Sequence, residues 1–368
     1  MHTFTKDEWS LVRVHGRTDG TFPITFFYSG SAVECNVKAA TLQITVNAVY
    51  DCFDQWLTIL IDGAFISRQM LAKGEQTITV FRRMNPDKIK NVRIIKETEA
   101  IPEDSVHYLQ ILSLETDGEV CPVEKRPLSL EFVGDSITTG EGTYGAKGEE
   151  DWIPMFFSAY HNYAFLTAQA LHADYRVISK GGWGIYCGWD NNVNNSIPRV
   201  YGKVCGMLTG LRHEAVGAQK DYDFAANPVD AVIFHLGTND YSAFTQQPWT
   251  DPETGLVYRQ TLLPDGTPES ESKERFLAAA VAALRDIRRK NPQAYILWIY
   301  GMLGDGLEPM ITEAVARYQE ESRDERISYL PLPNTTDETV GSRYHPGYPS
   351  HRAAAKVLIE ELQKIFSL

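Results

Sequence analysis

Cysteine is scarce in this chain, with five among 368 residues: Cys35, Cys52, Cys121, Cys187 and Cys205. They are odd in number and widely spaced, with no CxxC pair and no Cys/His cluster at metal-ligand spacing. Reduced, mostly buried thiols are therefore expected, and no metal site. Basic charge is in deficit too. With 35 Lys and Arg against 48 Asp and Glu, a formal net charge of −13, the chain lacks the positive footprint that displaces counterions from nucleic acid, so no nucleic-acid partner is expected. Long apolar runs are missing. The windows around LTILIDGAFI and AVIFHLG are broken by Asp, Gly or His well short of the roughly 18 apolar residues of a membrane span, so no membrane partner is expected either. The opening residues, MHTFTKDEWS, carry no basic stretch leading into an apolar one, which sets the expectation of a cytoplasmic protein.

What is present is ordinary globular material, 43% hydrophobic and 23% charged, at a length that suggests about two domains. From Trp9 to about Pro127, apolar and polar residues alternate over short runs separated by Gly, Asp and Asn: LVRVHG, ITFFYSG, AVECNVKA, TLQITVNAVY, WLTILIDG, QTITVFRR, VRIIKETE and YLQILSLE. Period-two alternation with no helix-length segment between predicts an antiparallel β-sandwich, a jelly roll, over residues 1–126. After Arg126 the pattern changes. LSLEFVGDS, YRVIS and AVIFHLGTND are short apolar strand candidates, and they alternate with helical patterns in FFSAYHNYAFLTAQALHA, KERFLAAAVAALRDIRRK, MITEAVARYQEESRDE and SHRAAAKVLIEELQKIF. That alternation predicts a doubly wound, three-layer α/β/α domain over residues 127–368, with its site at the carboxyl ends of the strands. Residues 242–272 lack periodicity, which suggests a lid, a binding loop or an oligomer contact, and a homo-oligomer is one possible partner.

Four segments carry chemistry. GDSIT (Gly134–Thr138) follows the strand SLEFV and offers the Ser136 hydroxyl and its backbone N–H at the site face; it also reads as a turn capped by Asp135 and Ser136. KGGWG (Lys180–Gly184) allows close backbone approach, or is merely a flexible turn. GTND places the Asn239 amide after VIFHL, as an oxyanion donor or an Asx turn. YHPGYPSH holds His345 in a loop through the following Pro346, whereas His351 at the helix start reads as structural.

Together these four blocks resemble those of the SGNH (GDSL-like) hydrolases, and with the preceding jelly roll the chain resembles carbohydrate esterase family two, whose members remove acetyl groups from xylan, mannan and related oligosaccharides. The resemblance implies Ser136 as nucleophile, His345 as general base, and an oxyanion hole made by the N–H of Ser136, an N–H of the glycine block and the Asn239 amide. Gly182 is the preferred glycine, with Gly181 and Gly184 as alternatives. No metal or other cofactor is implied, and the partner is an acetylated oligosaccharide. The pattern departs from the family where an Asp usually stands two or three residues before the His, since those positions are Arg343 and Ser342. A Ser–His dyad oriented by a backbone carbonyl is favoured, with Asp337 or Glu338 folding back as the alternative. Trp183, Tyr186, Trp189 and Trp249 are candidate sugar-stacking faces. The expected activity is deacetylation of xylo- or manno-oligosaccharides. A broader lipase-like or thioesterase-like esterase and a carbohydrate-binding protein with a weak hydrolase site are the alternatives.

Overall fold

In the computed structural model, which describes residues 1–368, the alternating segments of the first third pair into two antiparallel sheets. One is built on Leu42–Val49, flanked by Gly74–Phe81 and Tyr108–Thr116; the other runs through Ala32–Lys38, Ile89–Lys96, Gln55–Ile61 and Ala64–Leu71. Alternation decides which side is buried. Leu42, Ile44, Val46 and Ala48 lie inside, facing Val33, Val37, Leu57, Ile59, Val92 and Ile94, while Gln43 and Asn47 stay half exposed. Burying each such large aliphatic side chain contributes about 1.5–3 kcal/mol. The strand Ala64–Leu71 is an addition to those expected from the pattern: it leaves Phe65, Ile66 and Met70 exposed and so shows no clean alternation. It pairs with Gln55–Ile61 across Asp62 and Gly63, both at positive φ, the geometry of a tight hairpin turn.

From Leu128 onward the fold is a five-stranded parallel sheet in the order Ala173–Ser179, Leu128–Gly134, Ala231–His235, Tyr295–Tyr300 and Ile327–Pro331. The helices Tyr163–Ala170 and Tyr348–Phe366 cover one face; Ser270–Lys290 and Glu308–Ser322 cover the other. The central strands read as continuous apolar runs because helices bury both of their faces. The helix predicted from Phe156 begins only at Tyr163. Asn162 is its N-cap, accepting from the Ala164 N–H at 2.8 Å, and the residues before it run as a short 3-10 turn and extended chain tied to Gly140 and Glu97. A side-chain cap outcompetes apolar spacing in setting where a helix starts. No helix is long and apolar enough to cross a membrane.

The two parts pack against each other through apolar contacts. Ala32, Leu60 and Ile95 of the sandwich complete the core on one face of the parallel sheet, and Phe27, Tyr28 and Ala100 enter the core on the other. Buried ion pairs reinforce the seam: Arg17 with Glu131 at 3.1 Å, Arg126 with both Glu34 and Asp174, and Lys180 with Glu99 at 2.8 Å.

Candidate active site

The strand Leu128–Gly134 delivers Ser136 to the carboxyl edge of the sheet as the first residue of a single helical turn, Ser136–Thr139. Asp135 caps that turn, its Oδ1 accepting from the Ile137 N–H at 3.0 Å. First-turn N–H groups have no acceptor within a helix, so the Ser136 amide points outward unpaired by the turn itself. Gly140 ends the turn in a left-handed conformation (φ 86°), where a Cβ would strike the carbonyl oxygen of Ser158.

His345 approaches from the segment before the last helix. Its Nε2 lies 2.9 Å from Ser136 Oγ, and its Nδ1 lies 2.9 Å from the backbone oxygen of Arg343. A carbonyl oxygen only accepts, so Nδ1 carries the proton, and Nε2 of the neutral ring is left to accept from the serine hydroxyl. Arg343 and Tyr344 both sit at positive φ (52° and 57°), a conformation costing non-glycine residues about 1–2 kcal/mol each; this strained turn aims the Arg343 carbonyl at the ring. Gly142 makes the approach possible, since a Cβ there would lie 2.6 Å from His345 Cβ.

No carboxylate takes the Nδ1 side. Asp337 is solvent-exposed and paired with Lys147, and Glu338 bonds to Thr336, so the fold-back alternative does not occur. The Arg343 side chain does point inward, but its Nε donates to Glu141 Oε1 at 3.0 Å. That same oxygen lies 3.8 Å from His345 Nε2.

The glycine block is held rigidly. The Gly181 N–H donates to Glu99 Oε2 at 2.7 Å and the Gly184 N–H to Asn195 O at 3.2 Å. Gly182, at φ 80°, has no such acceptor for its N–H and lines the cleft. Asp240 accepts from the N–H groups of Ile185, Tyr186 and Cys187 and thereby pins the loop beyond; burial pushes its carboxyl up to about 6. Asn239 donates its amide to Trp183 O at 2.9 Å and to Asp135 Oδ2 at 3.3 Å. Because Trp183 O can only accept, the Asn239 amide nitrogen, not its oxygen, faces that corner. Burial pushes the Asp135 carboxyl up to about 7, with the Asp240 charge adding to the effect.

These residues share an open cleft of about 480 Å³, lined by Ser136, Glu141, Lys180, Gly181, Gly182, Trp189, Asn239, Arg343 and His345 together with Phe53, Glu103 and Trp152. Among the four aromatic candidates only Trp189 faces it, half exposed and packed over Gly182. Trp183 is buried in the core beneath the sheet. Tyr186 packs against the cluster of Cys187, Val193 and Ala243, and Trp249 joins that cluster with its ring tilted against Tyr258. The 242–272 segment forms a small hairpin there, tied down by the Gln260 N–H on Asn191, and contributes nothing to the cleft wall. The aromatic wall opposite comes from Phe53 and Trp152, in T-shaped contact at 4.8 Å, neither of which sequence reading singled out. His351 is structural as expected: it is buried between Thr143 and the Tyr163 N–H, and burial lowers its pKa to about 3. No group of three or more His, Cys, Asp or Glu side chains is arranged to hold a metal ion.

Known proteins resemble the chain over both of its parts. Residues 132–353 match the GDSL-like lipase/acylhydrolase family and residues 14–123 the carbohydrate esterase 2 N-terminal domain. The acetyl xylan esterase Est2A of the rumen bacterium Butyrivibrio proteoclasticus superposes with a TM-score of 0.96 at 42% identity, covering 99% of this chain and 96% of Est2A. An acetylxylan esterase / glucomannan deacetylase of Cellvibrio japonicus is 24% identical over 358 residues, 96% of this chain and 88% of its own length. The cellulase/esterase CelE of Acetivibrio thermocellus is 24% identical over 344 residues; the match takes in 91% of this chain but spans only 37% of CelE. The chain therefore belongs to the GDSL-like lipase/acylhydrolase family, its hydrolase domain joined to the N-terminal domain of carbohydrate esterase family two.

Proposed function

We propose that the chain is a carbohydrate O-acetyl esterase, a carboxylic ester hydrolase that removes acetyl groups from xylo- or manno-oligosaccharides through an acetyl-enzyme. The observation that carries this reading is the 2.9 Å contact of Ser136 Oγ with His345 Nε2, the ring's other nitrogen held on a backbone carbonyl. In the first step Ser136 Oγ bonds to the acetyl carbonyl carbon while Nε2 takes the hydroxyl proton. The oxyanion that forms accepts hydrogen bonds from the Ser136 and Gly182 N–H groups and from Asn239, whose long contact to Asp135 is the one most readily exchanged. Such a donor is typically worth about 3 kcal/mol in the transition state. Collapse breaks the bond to the sugar oxygen, which receives the proton from His345 and leaves as an alcohol. Water then attacks the acetyl-serine, giving one proton to Nε2; collapse returns that proton to Ser136 Oγ as acetic acid departs, which ionises to acetate in solvent.

The cleft walls support a sugar rather than a long acyl chain. Trp189, Trp152 and Phe53 offer flat apolar faces beside the polar groups Glu103 and Lys180, the mixture that a pyranose with one apolar face and a rim of hydroxyls fits. A cytoplasmic enzyme working on short imported oligosaccharides is part of the proposal, and cell fractionation tests it. For the chemistry, acetate release from acetylated xylo- and manno-oligosaccharides is compared among wild type, Ser136→Ala and His345→Ala. Rates are expected to fall at least 10²-fold, to about 10⁴-fold for the base; full rates in both variants overturn the reading.

A further inference from the structure

Five residues after Ser136, Glu141 is buried at the edge of the cleft, its N–H donating to Ser136 O at 3.1 Å. A carboxylate is costly to bury unless something charged compensates it. Arg343 is that partner, through its Nε at 3.0 Å, but the guanidinium is itself more than a third exposed and also reaches the Glu150 carbonyl. The Glu141 carboxylate reaches further than the ion pair requires. Oε1 stands 3.8 Å from His345 Nε2, and Oε2 lies against Gly181, where a Cβ would be 3.0 Å away. No other carboxylate oxygen comes within 4 Å of either His345 ring nitrogen.

The His345 ring needs a negative neighbour. When it takes the serine proton it becomes a cation, and on its Nδ1 side it meets a neutral carbonyl that orients without supplying charge. The groups facing it are Ser136, Glu141 and Arg343, with neutral, buried His351 behind. Deeper in the cleft Lys180 is matched by Glu99 and Glu103. We infer that Glu141 is a positioning residue for the esterase reaction, supplying from the Nε2 side the countercharge that the site lacks on the Nδ1 side, with Arg343 tempering its strength. This rests on the acetyl-enzyme reading above.

The test is the pH profile of kcat/KM on p-nitrophenyl acetate for wild type, Glu141→Gln, Glu141→Asp and Arg343→Gln, each first checked for folding by thermal melt. Removing a negative charge about 4 Å from a titrating ring makes protonation harder. Glu141→Gln is therefore expected to move the acid limb to lower pH by about one unit and to lower the plateau about tenfold, the two being one free-energy difference seen twice. Glu141→Asp keeps the charge and restores most of the limb position. Arg343→Gln keeps the main-chain carbonyl and moves the limb to higher pH. A merely structural Glu141 predicts lower rates or melting temperatures with the limb in its wild-type place, and that result overturns the inference. If Glu141→Gln does not fold, the Arg343→Gln limb decides: no upward movement overturns it. Ser136→Ala separates the two levels. Full activity there removes the acetyl-enzyme reading itself, whereas an inactive Ser136→Ala with an unmoved Glu141→Gln limb removes only the role of Glu141.

Discussion

Gly142→Ala isolates the geometry on which turnover depends. Gly142 sits at φ 73°, and an added Cβ would lie 2.6 Å from His345 Cβ and 2.5 Å from Ser342 O. Carbon atoms rest at about 3.5 Å, so the histidine segment must retreat by about 1 Å. Added to the 2.9 Å between Ser136 Oγ and His345 Nε2, that retreat gives a separation of about 4 Å, beyond any hydrogen bond. A displacement of this size costs about 10² in rate even when every reacting group is present. The left-handed backbone adds a strain of about 1–2 kcal/mol that acts on stability. Gly148 separates the two effects: it is also left-handed (φ 86°), but a Cβ there meets nothing within 4 Å. Steady-state kinetics on p-nitrophenyl acetate, with thermal melts alongside, should therefore show Gly148→Ala losing only the small backbone strain, and Gly142→Ala losing that and more, because its Cβ also presses on the Ser342 carbonyl. Only Gly142→Ala should lose about 10² in kcat. A Gly142→Ala enzyme that is folded and as active as wild type would refute the claim that the position of His345 is set by this contact.

Three further outcomes follow from the same geometry. Trp189→Ala should raise KM for acetylated oligosaccharides several-fold with kcat nearly unchanged, and Trp249→Ala should alter neither; equal effects in the two variants would contradict the placement of Trp249 away from the cleft. Stability should decline as pH falls from about 4.5 to about 2, because Glu131, buried against Arg17 and Arg176, has its carboxyl held down to about 2 in spite of burial. A group depressed on folding adds stability above its unfolded value and loses it as the folded value is passed, here on the order of 3 kcal/mol. Urea melts at pH 5 and pH 2.5 measure it, and an unchanged midpoint would refute it. Dialysis against EDTA should leave turnover intact, given that no cluster of three ligating side chains exists; activity lost to the chelator and restored by a divalent ion would contradict the acetyl-enzyme route.

How far the sequence could be read depended on the range of the interactions involved. Ser136, Gly182 and Asn239 could be singled out because they follow strands of the parallel sheet, and His345 because it precedes the last helix, so topology brings all four to one edge; the roles given to them rest on the resemblance, not on local pattern. The carbonyl that orients His345 was legible as a possibility, since Arg343 occupies the usual carboxylate position; what could not be read was that Arg343 and Tyr344 would accept left-handed backbone to aim it. The aromatic wall was misread for a different reason. Trp183, Tyr186 and Trp249 stand near the motifs in sequence, but the Asp240 carboxylate folds the 185–187 backbone inward and draws Tyr186 and the 249–258 hairpin into a cluster of their own. The residues that do face the cleft, Phe53, Glu103 and Trp152, reach it through contact between the two domains, and no local pattern marks such a contact.

That contact gives the sandwich a part in building the site. Its Glu99 accepts the Gly181 N–H and pairs with Lys180, both within the glycine block, while neighbouring Glu97 accepts the Ala159 N–H and fixes the segment that closes on Gly140. With Gly181 committed to Glu99 and Gly184 to Asn195, the Gly182 N–H is the one amide of the three candidates left to face the substrate. Removing Glu99 would leave the Lys180 ammonium buried without its closest partner, and breaking a buried pair in this way typically costs about 3–5 kcal/mol. The cheapest relief is for Lys180 to swing toward solvent, carrying the glycine block out of line with Ser136. The glycine block proposed to bind the oxyanion is thus held by a residue about 80 positions away on the other domain, which is a physical reason for the sandwich and the hydrolase domain to occur as one unit.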